Sequence, residues 1–342
     1  MKKHLDRVII ILVMAMIACT LLIACGGGDG GSAPAPDEGD GIPNDYALSS
    51  SQPVSPVELK TRFVIKKTGK QGVLDTFYAL HGLISAPKNN DDFSKIVRLG
   101  DWIDLPSLSV LGDAGAAEIN ITNAPVNSGN SVLLRLVVIG INSFKDINDN
   151  GNTKHVVFQF ENIPVFRRMQ LHYTDNYNIP ANNIAGYSKS EIRSYLTNRF
   201  LTGLTNAGVP SRILWAPERV VENVHFSDDP WTQANGTAVL QTIVDKIWLP
   251  SGFEMGISGY GGEKAENQAS FYGNDATKYY NDTNRKKYTT AGANSYWLAS
   301  SYYQNQELID YLTINADGDP DIPIVTNVAV NDIGIAPAFC IR

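Results

Sequence analysis

Apolar positions along this chain change their spacing several times, and each spacing predicts an element. Residues 71–85 set Val73, Leu74, Phe77, Tyr78, Leu80, Leu83 and Ile84 three and four apart, which predicts an amphipathic helix. Residues 96–111 and 132–139 read as short strands, and the second is a nearly unbroken apolar run suited to burial on both faces. Residues 155–160 alternate as another strand, preceded by a turn at 148–152. The clearest helix is predicted over 188–206. Ser188 and Glu191 are spaced as a capping box, and Ile192, Tyr195, Leu196, Phe200 and Leu204 share one face. Gly208 and Pro210 stop it. A further helix is expected at 238–245, then a strand at 246–249 entering Pro250, then a long polar stretch at 256–293. Residues 308–314 are apolar enough for a core strand, with Ile309, Tyr311 and Thr313 on one face and Leu308, Asp310, Leu312 and Ile314 on the other. Helices and short strands mix without βαβ alternation, so the fold class is α+β.

The amino end predicts the compartment. Lys2, Lys3 and Arg7 precede an almost wholly apolar run at 8–23. That run is short of the roughly 20 residues a spanning helix needs, and it has the form of a signal-peptide core. It ends in Leu22-Ile23-Ala24-Cys25, a lipobox, so Cys25 is expected to receive diacylglycerol after cleavage. Cys19, behind Met16-Ile17-Ala18, fits the box less well. Two or three acyl chains anchor a protein as one chain cannot. Gly26 rather than Asp follows the lipidated position, which points to an outer-membrane lipoprotein displayed on the outward face. Residues 26–58 are rich in Gly, Ser, Pro and Asp and contain no Lys or Arg, a composition too polar to fold. A coil of about 33 residues has a root-mean-square reach of roughly 30 Å. The expected organisation is a signal peptide at 1–24, the lipidated Cys and a disordered linker at 25–58, a helical extension at 59–94 and a globular domain at 95–342.

Charge and chemistry narrow the function. Loss of residues 1–24 removes three basic and one acidic side chain and moves the formal charge from −7 to −9. No Lys/Arg cluster appears, so nucleic acid is excluded as a partner. Besides Cys25 only Cys340 remains, so no disulfide staples the fold, and Ala338-Phe339-Cys340-Ile341 predicts an inert core thiol. Gly256-Ile257-Ser258 opens like a nucleophile elbow, but Tyr260 stands where its closing Gly belongs. No phosphate-binding Gly loop occurs. His81, His155, His172 and His225 are never at ligand spacing and are expected at the surface or satisfied in the core. No catalytic residue, metal ligand or cofactor is therefore expected. Asp146-Ile147-Asn148-Asp149-Asn150-Gly151 does match the opening of a calcium-binding EF-hand loop. Val157 occupies the place of its bidentate Glu, however, and Asn-Gly between strands is an ordinary hairpin signal. A solvated loop is preferred there over calcium at Asp146, Asn148 and Asn150. Asp317, Asp319 and Asp321 alternate similarly, with Pro320 and Pro323 among them.

Several segments follow one another in a telling order. Val156-Val157-Phe158-Gln159-Phe160-Glu161-Asn162-Ile163-Pro164 is followed by Ser190-Glu191-Ile192-Arg193-Ser194-Tyr195-Leu196, and then by Asp245-Lys246-Ile247-Trp248-Leu249-Pro250 with Glu254-Met255. Tyr296-Trp297-Leu298-Ala299-Ser300-Ser301 and Gly334-Ile335-Ala336-Pro337-Ala338-Phe339-Cys340-Ile341 close the set. Over roughly 95–342 the chain resembles the bacterial surface-protein family known as domain of unknown function 6273. That family's marks are a Trp-Leu-Arg-Ser-Pro-like motif and a terminal Val-Arg-Pro-Ala-like strand. Ala299 and Ser301 depart from the first and Ala336 from the second. The two missing arginines bear on packing more than on binding.

The resemblance implies a C-type-lectin-like module of short twisted antiparallel strands with two or three helices, in the variant shared with formylglycine-generating enzyme and with retroelement-diversified receptors. It implies that Trp297 and the terminal strand are scaffold and that residues 302–332 display the binding surface. The paired cysteines of the enzyme branch are missing, so its activity is not carried over. The residues themselves agree: Tyr302, Tyr303, Gln304, Asn305, Glu307, Asp310 and Tyr311 combine large amphipathic rings with short polar groups, the mixture that antibody loops use. The function expected is non-enzymatic binding of an extracellular protein or glycan, as a receptor or adhesin. The alternative is an extracytoplasmic hydrolase, carbohydrate-active or metal-assisted, on the same scaffold.

Overall fold

In a computed structural model of the protein, the described residues are 57–86, 96–112, 117–127, 130–144, 154–169, 184–226, 236–257, 271, 278–281, 284–303, 309–321 and 332–342. All of them lie within one unit, Gly41–Arg342. Among the described residues strands dominate and helices are few, with no closed barrel, so the class is α+β as the sequence predicts.

In chain order a short α1 (Leu59–Arg62) leads to α2 (Gly69–Ser85), β1 (Trp102–Asp104) and the hairpin of β2 (Ser107–Leu111) with β3 (Glu118–Thr122). Next come β4 (Arg135–Ile141), β5 (Val156–Phe160), β6 (Val165–Arg167) and β7 (Ile184–Ala185). Then α3 (Glu191–Tyr195) runs through a π-helical segment (Leu196–Phe200) into α4 (Leu201–Asn206). After these lie β8 (Leu214–Trp215), the long hairpin of β9 (Glu218–Phe226) with β10 (Gly236–Val244), and β11 (Ile247–Trp248). The hairpin of β12 (Lys287–Thr289) and β13 (Gly292–Asn294) precedes β14 (Tyr296–Tyr303), β15 (Ile309–Ile314), β16 (Pro320–Asp321), β17 (Ile333–Ile335) and β18 (Ala338–Ile341).

The main sheet has the order β1-β4-β5-β18-β11, with β8 on the same edge of β18 as β11. The last strand is thus central. It pairs antiparallel with β5 from Ala338↔Gln159 to Ile341↔Val156. Side chains at positions two apart share a face, so Phe158, Phe160 and Phe339 point one way and Val157, Gln159 and Cys340 the other. On the first face Phe77 of α2 meets Phe158 edge-on at 5.4 Å, Phe339 stacks on Phe158 at 5.5 Å, and Phe200 meets Phe160 at 5.5 Å. Both long helical segments therefore cover the same face. Such offset and edge-on ring pairs add about 0.5–1.5 kcal/mol each beyond burial. The opposite face carries Trp248 against Phe144 at 5.8 Å, and Phe144 against Phe271 at 5.9 Å. With both faces covered, every residue of β5 is buried, Gln159 included.

Cys340 is a fully buried free thiol, and burial pushes its ionisation well above the ordinary range, so it is a core residue as expected. His155 is also a core residue. Its Nε2 accepts from the Phe144 backbone N–H at 3.0 Å.

Two expectations need correction. Residues 238–245 are not helical but lie in β10 and just beyond it. The segment is rich in β-branched residues, and its burial alternates. Ala238, Leu240, Thr242 and Val244 are exposed, while Val239, Gln241 and Ile243 turn toward the protein. That is a period of two, not 3.6. The helix at 188–206 begins later than its capping box suggests. Ser188 sits in a 3-10 turn (Tyr187–Lys189), and Ser190 is the cap, its Oγ accepting from the Arg193 N–H at 3.2 Å. The predicted apolar face is correct, for Ile192, Tyr195, Leu196, Phe200 and Leu204 are all buried. Gly203 lets this helix sit on β2, because a Cβ there would lie 2.3 Å from the Ser109 carbonyl oxygen.

Candidate functional site

A second sheet has the order β16-β15-β14-β17-β6, and a third has the order β10-β9-β7. β9 and β14 lie side by side and run in the same sense. Arg219 donates to the Leu249 carbonyl at 3.0 Å, and the Ala299 N–H donates to Pro250 at 2.8 Å, so the start of β9 and the middle of β14 flank one turn. Farther along, the Asn223 Oδ1 and Ser301 Oγ both face Gly186, at whose φ of 127° an added Cβ would lie 2.5 Å from each oxygen. The two hairpins therefore end together: Phe226 and Gly236 of one, Tyr303 and Ile309 of the other. β7, which pairs Ile184 with His225, enters at the same end.

A polar network lies behind that end, tying the middle of the β9–β10 hairpin to the end of β14. The Asn223 Nδ2 donates to Ser188 Oγ at 3.0 Å and to Gln241 Oε1 at 2.9 Å, and the Tyr187 N–H donates to Ser301 Oγ at 3.1 Å. Arg193 forms a two-pronged pair with Asp245, both bonds at 2.9 Å, and also donates to the Ser188 carbonyl at 2.7 Å. Hydrogen bonding to the Asp245 carboxylate raises the Arg193 pKa further, so the guanidinium stays charged. Asn223 and Ser301 are fully buried. Buried networks whose members are satisfied rigidify what they hold.

The sequence-predicted binding residues divide. Tyr302 and Tyr303 close β14 opposite Asp310 and Ile309 of β15, at the end the two hairpins share. Gln304, Asn305 and Glu307 lie outside the described residues, as do Cys25 and the calcium candidates Asp146, Asn148 and Asn150. Tyr311 is placed differently from the expectation. It is 2 % exposed and packs edge-on against Trp297 at 6.2 Å, so its ring serves the core and is withdrawn from the surface set. Leu312, Thr313 and Ile314 are equally buried, because β15 is covered on both faces rather than one. Asp317, Asp319 and Asp321 do not form a group that could hold a metal. Asn315 Oδ1 accepts from the Asp317 and Asp319 backbone N–H groups instead, which makes the turn. Among the described residues no group of three or more His, Cys, Asp or Glu could hold a metal.

Two buried charge clusters were not legible in the sequence. Lys287 is 1 % exposed, and its Nζ donates to the Phe160 carbonyl at 2.8 Å, the Tyr280 hydroxyl at 3.2 Å and the Glu161 carbonyl at 3.3 Å. The rings of Tyr280 and Tyr296 lie 5.5 and 5.4 Å away. Burial pulls its pKa down to about 7, against a smaller upward pull from the Glu161 carboxylate. Nothing in Arg285-Lys286-Lys287 separates this lysine from Lys286, which instead pairs with the exposed Asp317. In the second cluster Arg219 and Glu254 are both fully buried, with Nε to Oε1 at 2.8 Å and Nη2 to Oε2 at 2.5 Å. The guanidinium lies over the Trp248 ring at 4.8 Å. Both clusters bind strands to neighbouring turns.

A model of the family described as Domain of unknown function (DUF6273) matches residues 153–342, more than half of the 342-residue chain. The chain belongs to that family. Comparison with curated proteins and with solved structures returns no match. The DUF6273 stretch contains both hairpins of the shared end, the Arg219–Glu254 pair and Lys287. Its motif residues have structural roles: Trp297 is 1 % exposed and donates from Nε1 to the Arg167 carbonyl at 2.9 Å. The folded unit reaches beyond the DUF6273 stretch. β4, which precedes it, pairs with β5 from Leu136↔Phe160 to Ile141↔Val156, and Phe77 of α2 fills the core under it. Residues 69–85 thus contribute Phe77 to the same core.

Proposed function

We propose that this protein is a lipid-anchored cell-surface binding module with C-type-lectin-like architecture. Its ligand-contacting surface is formed around Tyr302, Tyr303, Gln304, Asn305, Glu307 and Asp310, and its ligand is an extracellular protein or glycan. The observation that carries this reading is the convergence of the β9–β10 and β14–β15 hairpin ends over a satisfied, buried polar base. Rigid scaffolds that present variable connections in one place are a recurrent basis for binding. Tyr supplies contact area at low entropic cost, and Asn and Gln adapt their hydrogen bonds to the ligand. Two helical segments on one face of a small antiparallel sheet, with the final strand at its centre, support the lectin-like reading. The membrane is the second partner, through diacylglycerol on Cys25, with display on the outer face of the outer membrane.

The test screens the full chain, purified in detergent, against arrays of glycans and extracellular proteins, beside the Tyr302→Ala/Tyr303→Ala double variant. A partner bound by the native chain and at least about tenfold more weakly by the variant, at an unchanged melting temperature, supports the module and its site. Equal binding by both chains overturns the site. Turnover of a glycan or peptide without retained binding favours the hydrolase instead. Metabolic labelling with a radioactive fatty acid should mark the native chain and leave Cys25→Ala unlabelled.

A further inference from the structure

Among the described residues the strands at sheet edges run from two residues to nine, with those of the β2–β3 hairpin at five. β1, β6, β7, β8, β11 and β16 are two or three residues long, too short to template another strand. β10 spans nine residues and, among the described residues, pairs only with β9. Its register runs unbroken from Gly236↔Phe226 to Val244↔Glu218, whereas the β4–β5 and β14–β15 pairs are both interrupted by irregularities. Proteins ordinarily blunt such an edge with Lys, Pro, a bulge or brevity. Gly236-Thr237-Ala238-Val239-Leu240-Gln241-Thr242-Ile243-Val244 has none of these and carries no charge. Leu240 is 45 % and Val244 55 % exposed, on the same side of the strand as Ala238 and Thr242.

We infer that the free edge of β10 is an interaction surface for a second copy of this chain, joined antiparallel, β10 to β10, about a two-fold axis through Leu240. The two three-stranded sheets then become one of six, in the order β7-β9-β10-β10-β9-β7. The strand's own chemistry selects this occupant. A two-fold axis at Leu240 sets residues whose numbers are symmetric about 240 opposite each other, so the whole nine-residue strand pairs with no overhang. Leu240 then faces the partner's Leu240, and Ala238 faces the partner's Thr242. No like charges are set opposite one another, which is the usual cost of self-pairing. A two-fold contact also closes on itself, so an exposed edge of this length is consumed by a dimer instead of propagating into a fibre.

The test measures self-association of the full chain in detergent by sedimentation across a micromolar concentration series, with Leu240→Lys and Thr242→Lys as separate variants. Both positions are exposed in the single chain, so the variants should keep the native melting temperature. The native chain is expected at twice the protein mass, and Leu240→Lys is expected to weaken the dimer at least about tenfold. Thr242→Lys gives a second reading of the same face should Leu240→Lys fold poorly. Leu240→Cys supplies a geometric readout. Directly opposed residues of an antiparallel pair have Cα atoms about 4.5–5.5 Å apart, within disulfide range. Oxidation should therefore link two chains through that position and leave the unsubstituted chain unlinked. A native chain that is monomeric throughout the series overturns the inference, and so does a dimer that persists in both lysine variants. A monomer that instead pairs with extended peptides of foreign sequence overturns the second-copy assignment.

Discussion

Replacing Lys287 by Met should remove a pH dependence of stability that this one buried amine imposes. Lys287 is 1 % exposed and its pKa falls from 10.5 to about 7, chiefly because burial penalises the charged form. Between those two pH values the unfolded chain carries a proton on this amine that the folded chain lacks. Unfolding then takes up a proton, so raising the pH disfavours unfolding and the folded state gains stability. Below about pH 7 both states are protonated and the folded state bears the full burial cost. At about 1.4 kcal/mol per unit, the whole interval is worth at most about 5 kcal/mol. Buried groups that titrate higher act the other way. Cys340 and the phenols of Tyr187, Tyr279, Tyr280 and Tyr296 are all raised by burial, so they lower stability once the pH passes their ordinary values. A difference measurement cancels them. Lys287→Met leaves the Phe160 and Glu161 carbonyls and the Tyr280 hydroxyl without this donor, a cost that does not vary with pH. Urea unfolding of both chains at steps from pH 7 to pH 9 should therefore show native stability rising against the variant by about 2 kcal/mol. Two curves that stay parallel over that interval would refute the reasoning and return Lys287 to an ordinary surface-like pKa.

Three further outcomes are expected from urea unfolding or thermal melts. Glu254→Ala leaves the fully buried Arg219 without its carboxylate and should cost about 3–5 kcal/mol, whereas converting both residues to apolar ones of similar volume should cost distinctly less. Gly203→Ala places a methyl 2.3 Å from the Ser109 carbonyl oxygen and should cost about 1–3 kcal/mol through displacement of the helix from β2; an unchanged midpoint would contradict the close approach. Trp297→Ala empties a site lined by Tyr311 and orphans the Arg167 carbonyl, for about 3–5 kcal/mol, with Trp297→Phe intermediate.

The candidate site was legible only in outline. The aromatic-polar composition around Tyr302 and Tyr303 points to the β14–β15 hairpin. Composition could not tell Tyr302 from Tyr311, because a tyrosine reads the same in a strand covered on one face as in one covered on both. The β9–β10 hairpin, which shares the site's end of the molecule, was misread at 238–245. Short apolar runs satisfy helical and strand periodicities about equally well, and only pairing with β9 over nine residues decides between them.

What the sequence by itself determined is what depends on near neighbours along the chain. The helix at 69–85, the apolar face of 191–206, the strands around 135–141, 156–160 and 309–314, and the buried Cys340 all follow from spacing and composition, since local periodicity dictates which side of an element is apolar. The ordered motifs after Val156 likewise announced the family to which the chain belongs. The tertiary structure alone decided which distant residues meet. Arg219 finds Glu254, Arg193 finds Asp245, Lys287 finds the end of β5, and the terminal strand enters the middle of the main sheet. Burial of a charge is favourable only where a partner stands within hydrogen-bond reach. That reach is set by the packing of strands far apart in the chain, which no local pattern records.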